Sequence, residues 1–387
     1  MNQPLEAHAT TWDVVVVGGG AAGAAAAFHL AKGGRAVVVL EQQHFPRSKP
    51  CGGGMAASVQ RLFPFALSPA VDSVIAQVRF SWCLGDPVTA VLAGDAPFWI
   101  VRRSVLDAYL IEQAKAAGAT VVEGTTVLSA AREGDHWRVR SEAGDYRCRA
   151  VVIADGSGSQ LAAQLGLGPA KPRFASTVSV DVEGPVAEKH TAYFEFGLVR
   201  HGFCWAFPRE GGYSIGVGTF IGREAADSDA VLSQLLPSLG FAADAGERRS
   251  GQLRIWDGHH SLHGSGPTAG AVAVGDAASL CDPFLAEGLR PALLSGCRAA
   301  EALERWLGGD AKALAEYTAQ MKTEWGDSMA WGKRIAQVFY RLPKVGYQLG
   351  VKRPTAPQRI GQILSGDMGY GDIAQRVIKR LLFQRKS

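Results

Sequence analysis

The sequence predicts an α/β fold: a Rossmann-like dinucleotide-binding domain, an inserted antiparallel β-sheet domain and a helical C-terminal region. Three observations predict it. Gly18-x-Gly20-x-x-Gly23 follows a short β-branched run and opens an alanine-rich stretch. From Arg173 to about Leu262 the pattern changes to strand-like alternation punctuated by turn residues. Beyond Leu289 the chain reads as helical nearly to its end, interrupted near Pro343 and Pro354.

The first strand is Val14 to Val17, too short for a helix and rich in β-branched residues, and the helix after it runs to about Lys32, where Gly33-Gly34 ends it. Gly18 permits the tight strand-to-helix turn, Gly20 lets the backbone approach a pyrophosphate, and Gly23 lets helix and sheet pack closely. The helix N-terminus adds free N–H groups and partial positive charge, so an anion belongs there. A second strand, Arg35 to Leu40, ends in Glu41, at the ~20-residue spacing where an acid accepts hydrogen bonds from ribose hydroxyls. Ser104 is expected to cap a helix from Val105 to about Ala117, with Asp107 in its first turn and Gly118 beyond its end. A strand over Thr120 to Glu123 follows. The hairpin of His136 to Arg140 and Tyr146 to Ile153, turned at Glu142 to Asp145, then leads into Ala154-Asp155-Gly156. A further buried strand, Val272 to Val274, ends in Gly275-Asp276. Three glycine signatures in this order are what a fold that wraps an extended FAD requires. A membrane-spanning reading of residues 14 to 28 fails, because the run is broken by glycine and short of the ~18 apolar residues needed.

The 387 residues suggest two intimately joined domains. The FAD-binding domain is expected over 11–75, 98–172 and 268–310, the substrate-binding β-domain over 76–97 and 173–267, and the helical region over 311–387. Hydrophobic residues at 47% and charged residues at 20% describe a soluble globular chain. Glycine supplies 47 of the 387 residues, above the usual ~7%, and concentrates in nucleotide-type loops. The net charge of +4 is too diffuse to indicate nucleic acid. The six cysteines form no C-x-x-C pair and no metal-ligand spacing, and no basic-then-apolar signal segment is read near Met1. Reduced thiols, no metal and a cytoplasmic location are the expectation.

Outside the nucleotide loops, Cys51 lies between Pro50 and three glycines, which places it on a loop whose backbone can crowd a planar ring. Phe203, Trp205 and Phe207 alternate along a strand and so share one face, either a sheet core or the wall of an apolar pocket. Trp325, Trp331, Phe339, Tyr340 and Tyr347 are candidates to close such a pocket. Glu287-Gly288-Leu289 opens a helix with Pro291 in its first turn, an arrangement that stabilises negative charge on a reduced flavin. The mixed basic and apolar run from Arg376 to Phe383 reads as a surface helix or as a contact with anionic lipid.

The three signatures, with Arg103 placed before Asp107 in a stretch like dR-x-x-x-D-x-x-L, resemble the para-hydroxybenzoate hydroxylase-like class of flavoproteins over roughly residues 11 to 310. The resemblance implies that Glu41 and Arg103 contact the adenosine and phosphate part of FAD, that Asp155 of Asp155-Gly156 lies near the pyrophosphate, and that Asp276 binds the ribityl chain. Within that class three stretches are similar to the geranylgeranyl reductase family. Lys49-Pro50-Cys51-Gly52-Gly53-Gly54 is similar to its P-C-G-G motif beside the flavin. Phe203-Cys204-Trp205-Ala206-Phe207-Pro208 is similar to its Y-x-W-x-F-P motif on the substrate side. Gly275-Asp276-Ala277-Ala278 with Pro283 and Glu287-Gly288-Leu289 resembles its G-D-A-A...P-x-x-G-E-G-I run.

Phe203 replaces the motif's tyrosine, Ala286 the first glycine of G-E-G, and Asp282 the asparagine before proline. The family likeness implies reduction of C=C bonds in a polyprenyl group, with Gly18, Gly20, Ala22, Gly23, Gly52, Gly53 and Pro283 joining the FAD contacts and Cys51 at the flavin face as the candidate catalytic residue. It also implies a prenylated apolar substrate, peripheral membrane contact, and NADPH or another external reductant or redox partner, since no second dinucleotide fingerprint is present. A flavin monooxygenase or halogenase remains an alternative, because Phe203-x-Trp205-x-Phe207-Pro208 is distantly similar to the halogenase W-x-W-x-I-P stretch without its first tryptophan. A non-catalytic prenyl-binding protein is the other.

Overall fold

A computed structural model describes residues 11–94, 97–220 and 228–375. The strand Thr11–Val17 lies between two parallel neighbours, Val37–Leu40 and Gly144–Ile153. Thr120–Val122 extends the sheet beyond Val37–Leu40, and Ala271–Ala273 adds a fifth parallel strand against the second half of Gly144–Ile153. The first half of that long strand instead pairs antiparallel with His136–Ser141, which pairs in turn with Val127–Glu133.

This register brings the motifs together. Val17 is level with both Leu40 and Ile153, and Ile153 is level with Ala273. Gly18, Glu41, Ala154-Asp155 and Gly275-Asp276 therefore leave the carboxyl ends of four adjacent parallel strands, the place where open α/β sheets bind ligands. Val14 to Val17 and Val37 to Leu40 are almost wholly inaccessible, as continuous apolar runs in a doubly covered parallel sheet must be.

Helix Ala21–Lys32 packs against helices Arg103–Ala116 and Leu289–Leu307. Its contact with Leu289–Leu307 needs small residues: a Cβ on Gly296 would lie 2.3 Å from the Ala22 carbonyl oxygen. Helix Arg103–Ala116 begins earlier than the expected Ser104 cap, with Arg102 at the capping position and no side-chain cap. The reason is Arg103, whose Nε and Nη2 donate to the Asp107 carboxylate one turn on, at 2.9 and 2.7 Å, and so draw it into the helix.

The second sheet runs Arg249–Ile255, Arg173–Glu183, Gly212–Thr219, Gly202–Arg209, Thr191–Phe196, Gln77–Trp82, Gly85–Val91. It departs from the expected antiparallel pattern in one pairing, since Thr191–Phe196 runs parallel to Gln77–Trp82. Those strands come from distant parts of the chain, so no hairpin dictates their direction. Both faces of this sheet are covered. Cys204 and Ala206 point into a core closed by helix Ser228–Ser238, while Phe203, Trp205 and Phe207 point to the first domain. A small sheet of Gly54–Ala56, Phe98–Val101 and Val71–Ile75 joins the two.

The C-terminal chain supplies helices Ala313–Met321, Asp327–Arg341 and Ala356–Ser365, with breaks at Leu342-Pro343 and before Ala356. Among the described residues no helix is long and apolar enough to cross a membrane. The Arg376 to Phe383 run lies outside the described residues.

Candidate active site

Two cavities meet at the glycine turn. One, about 1100 Å³, is lined by Gly18, Glu41, Arg47, Thr125 and Asp155 among others. The other, about 1150 Å³, runs from Gly20, Ala22 and Asp276 to an aromatic wall. Gly20, Lys49, Pro50, Ala154 and Gly156 line both, so the two form one trough crossing the N-terminus of helix Ala21–Lys32.

The residues present fit an extended FAD. Gly18 has φ +96°, and a Cβ there would stand 2.5 Å from the Ala154 carbonyl oxygen; one on Gly23 would stand 1.9 Å from the Gly18 oxygen. Gly20 caps the helix with no side-chain hydrogen bond, which leaves the first-turn N–H groups open to the trough. Gly23 and Gly275 thus act by packing, behind the cavity surface. Glu41 is buried at the adenosine end, where its carboxylate accepts from the N–H of Gly19 (2.8 Å) and of Gln43 (3.0 Å) and so holds the glycine loop. Arg47 bridges Glu41 (3.4 Å) and Asp107 (3.2 Å), and Asp107 also holds Arg103. Burial works against the charge on Arg103, but Asp107 outweighs it and the guanidinium pKa rises. Asp155 keeps one carboxylate oxygen buried with no hydrogen-bond partner among the described residues, and burial raises its pKa. An oxygen left bare at that point calls for a donor from a ligand.

At the other end, Cys51, Gly52 and Gly53 form the floor of the aromatic cavity. Gly53 has φ +83° and presses on Val101, while a Cβ on Gly52 would meet the Trp205 indole nitrogen at 2.9 Å. The Cys51 sulfur accepts from the Gly53 N–H at 3.3 Å. Phe203, Trp205 and Phe207 line the same cavity, joined by Phe194 and Phe220. Their shared face is thus the cavity wall.

Glu287, Gly288 and Leu289 line the cavity where helix Leu289–Leu307 begins, Gly288 being its capping residue. Asp276 stands beside them, with Lys49 Nζ at 3.4 Å. Glu287 is buried; one oxygen accepts from Arg290 Nη2 at 2.6 Å and the other has no partner among the described residues. Burial, helped by Asp282 and opposed by Arg290, pushes its pKa up to about 7. Ala286, the replacement for glycine, sits at φ +56°, so its methyl is held in a left-handed conformation at the cavity edge.

Several expectations need adjustment. Pro283 is buried in the turn before Glu287 but does not line either cavity. Of the C-terminal aromatics, none lines the cavity; Phe339 and Tyr340 pack behind Phe196, Phe220 and Phe284, and the lining side chain from this region is Leu364. Sequence reasoning missed Gly216 and Gly218. They are the cross-strand partners of Trp205 and Phe203, and a Cβ on Gly216 would stand 2.1 Å from the Trp205 ring. The signal was the glycine alternation in phase with the aromatic stripe of the preceding strand.

Comparison with known proteins agrees with this geometry. The model of the FAD dependent oxidoreductase family matches residues 13–68 and 76–305. The menaquinone reductase of Mycolicibacterium smegmatis is 29% identical over 84% of this chain and 83% of its own length. The chloroplastic geranylgeranyl diphosphate reductase of rice (Oryza sativa subsp. japonica) is 28% identical over 81% and 72%. A geranylgeranyl bacteriochlorophyll reductase-like protein from Thermoplasma acidophilum has the same fold, with a TM-score of 0.78, 20% identity, and coverage of 92% of this chain and 91% of its own. The flavin-dependent brominase Bmp2 shares it too, with a TM-score of 0.70, 21% identity, and coverage of 98% and 100%. The chain therefore belongs to the FAD dependent oxidoreductase family and is an enzyme similar, within it, to the geranylgeranyl reductases.

Proposed function

We propose that the protein reduces carbon–carbon double bonds of a polyprenyl, geranylgeranyl-type substrate. The observation that carries this reading is the continuity of the nucleotide trough with a cavity walled by Phe194, Phe203, Trp205, Phe207 and Phe220. Such a wall offers a chain of isoprene units apolar contact and excludes water, and an isolated alkene, being a poor hydride acceptor, depends on that positioning.

Bound FAD, reduced by NADPH or another external donor, supplies the hydride. The chain's own residues do the rest. Glu41, Arg103, Asp155 and Asp276 would hold the cofactor, and the N-terminus of helix Leu289–Leu307 would set partial positive charge at the aromatic-cavity end of the trough. The second alkene carbon needs a proton. Cys51, Asp276 and Glu287 are acids on the cavity surface; Asp276 is paired with Lys49 and assigned to the cofactor, which leaves Cys51 and Glu287, and a carboxyl with a pKa of about 7 is half protonated at neutral pH.

The test is anaerobic. The flavoprotein is reduced chemically, geranylgeranyl diphosphate or a prenylated lipid is added, and return of the oxidised flavin spectrum is followed with mass analysis of the product. Fast reoxidation with a gain of two hydrogens per bond is the expected result. No response to either alkene, together with an oxygenated or halogenated product when oxygen is admitted, would replace this reading with the monooxygenase or halogenase one.

A further inference from the structure

On the far side of the Pro50-Cys51 turn lies a separate polar recess of about 730 Å³. Lys49, Arg102, Arg103, Arg209 and Arg249 line it against one carboxylate, Asp181. It shares Ser48, Lys49 and Pro50 with the dinucleotide trough but includes none of Gly18, Gly20 and Gly156. Its cations come from both halves of the molecule. Arg209, Asp181 and Arg249 stand on strands Gly202–Arg209, Arg173–Glu183 and Arg249–Ile255, while Arg102 precedes helix Arg103–Ala116.

Five cations and one carboxylate line the recess itself, the other counter-charges lying outside it. Asp181 serves both Arg209 and Arg249, the latter at 3.1 Å, and Arg249 also reaches Glu247, outside the recess, at 3.7 Å. Arg102 and Arg103 take their carboxylates, Asp72 and Asp107, from outside the recess. Arg209 is 6% exposed, and its Nε–H is buried with no partner among the described residues, although Nη2 donates to the Cys51 carbonyl at 3.4 Å. Burial lowers the pKa of that guanidinium in spite of Asp181, and the charge of Arg102 adds to the effect. A buried guanidinium N–H without an acceptor is costly and is where a ligand oxygen gains most. Ser104, in the uncapped first turn of helix Arg103–Ala116, adds a helix N-terminus to the same wall.

We propose that this recess is an anion site that binds a phosphoryl group through Arg102, Arg209 and Arg249. Guanidinium forks converging from two strands and a helix N-terminus match the three oxygens of a phosphoryl dianion better than the two of a carboxylate. Lys49, Pro50, Cys51 and Arg103 line both the recess and the aromatic cavity, so a phosphate ester seated here places its next atoms at the cavity floor. Two kinds of molecule carry that chemistry to this point: a substrate with a diphosphate head, and a phosphorylated dinucleotide reductant.

The test uses the FAD-loaded protein and inorganic pyrophosphate, titrated by calorimetry. The expected result is a saturable isotherm, weakened about tenfold or more by Arg249→Gln and by Arg102→Gln, as loss of one charge-assisted contact predicts. The flavin content and spectrum should stay unchanged in both variants. Arg209→Gln is the stronger perturbation but is buried, so the two more exposed arginines keep the test independent of folding. Binding of NADPH over NADH that Arg249→Gln abolishes assigns the phosphoryl group to the reductant. Binding of a prenyl diphosphate over its alcohol that the variant abolishes assigns it to the substrate. No saturable pyrophosphate binding, or equal affinity in wild type and variants, overturns the proposal. Reduction of a neutral prenyl lipid does not depend on this recess, so either reading can fail alone.

Discussion

At the residue scale the most informative side chain is Glu287. Its folded pKa of about 7 stands above the ordinary 4.5 because burial disfavours the charged carboxylate. For an acid raised in this way the penalty is absent below the unfolded pKa. It grows as pH rises from 4.5 to 7 and is fully present above that. Glu287→Gln, which can still accept from Arg290, should flatten this slope and recover roughly 2 kcal/mol of stability at about pH 8 relative to about pH 5. Denaturant titration of both proteins at the two pH values measures it, and an identical slope would show that the carboxyl titrates alike folded and unfolded. Gly216 offers a second residue-scale prediction. Its missing side chain is what lets the Trp205 ring lie flat against the neighbouring strand. Gly216→Ala should lower stability by about 1–3 kcal/mol and weaken binding of an apolar ligand, while bound flavin remains. Unchanged ligand titrations would mean that Trp205 is not a working part of the wall.

At the scale of elements, the pair of helices Ala21–Lys32 and Leu289–Leu307 couples the two ends of the cofactor trough. The first presents Ala22 to the cavity and the second Leu289 and Ala292, and they meet at Gly296. A methyl there must push the helices apart. Gly296→Ala is expected to cost about 1–3 kcal/mol and to reduce the flavin-to-protein absorbance ratio of the purified enzyme. A stable variant with full flavin would show that the trough tolerates their separation. The same scale explains the misplaced start of helix Arg103–Ala116. Capping preference favours Ser104, but the buried pair of Arg103 with Asp107 outweighs a serine cap, and nothing in local sequence reveals that both ends of the pair are buried.

At the scale of the whole molecule, folding and cofactor binding are linked. FAD at ~100 times its Kd should add about 2.7 kcal/mol to stability, read as a higher Tm in loaded than in flavin-stripped protein. Gly18→Ala should abolish that increment, since a Cβ at φ +96° collides with the Ala154 carbonyl. An equal shift in the variant would place the cofactor elsewhere. The sequence by itself determined the nucleotide half of this protein. A glycine turn, an acid at a strand end and two later glycine–aspartate turns are local demands of backbone sterics and hydrogen bonding, and such demands are written locally. It also placed Phe203, Trp205 and Phe207 on one face, because strand periodicity fixes that. Only the tertiary structure decided which core that face meets, that Gly216 and Gly218 make room for it, and that Phe339 and Tyr340 form a second layer behind it. The meeting of Arg102, Arg209 and Arg249 in one recess was equally hidden. Those contacts depend on the register of strands far apart in the chain, which packing of the whole molecule sets and no short stretch encodes.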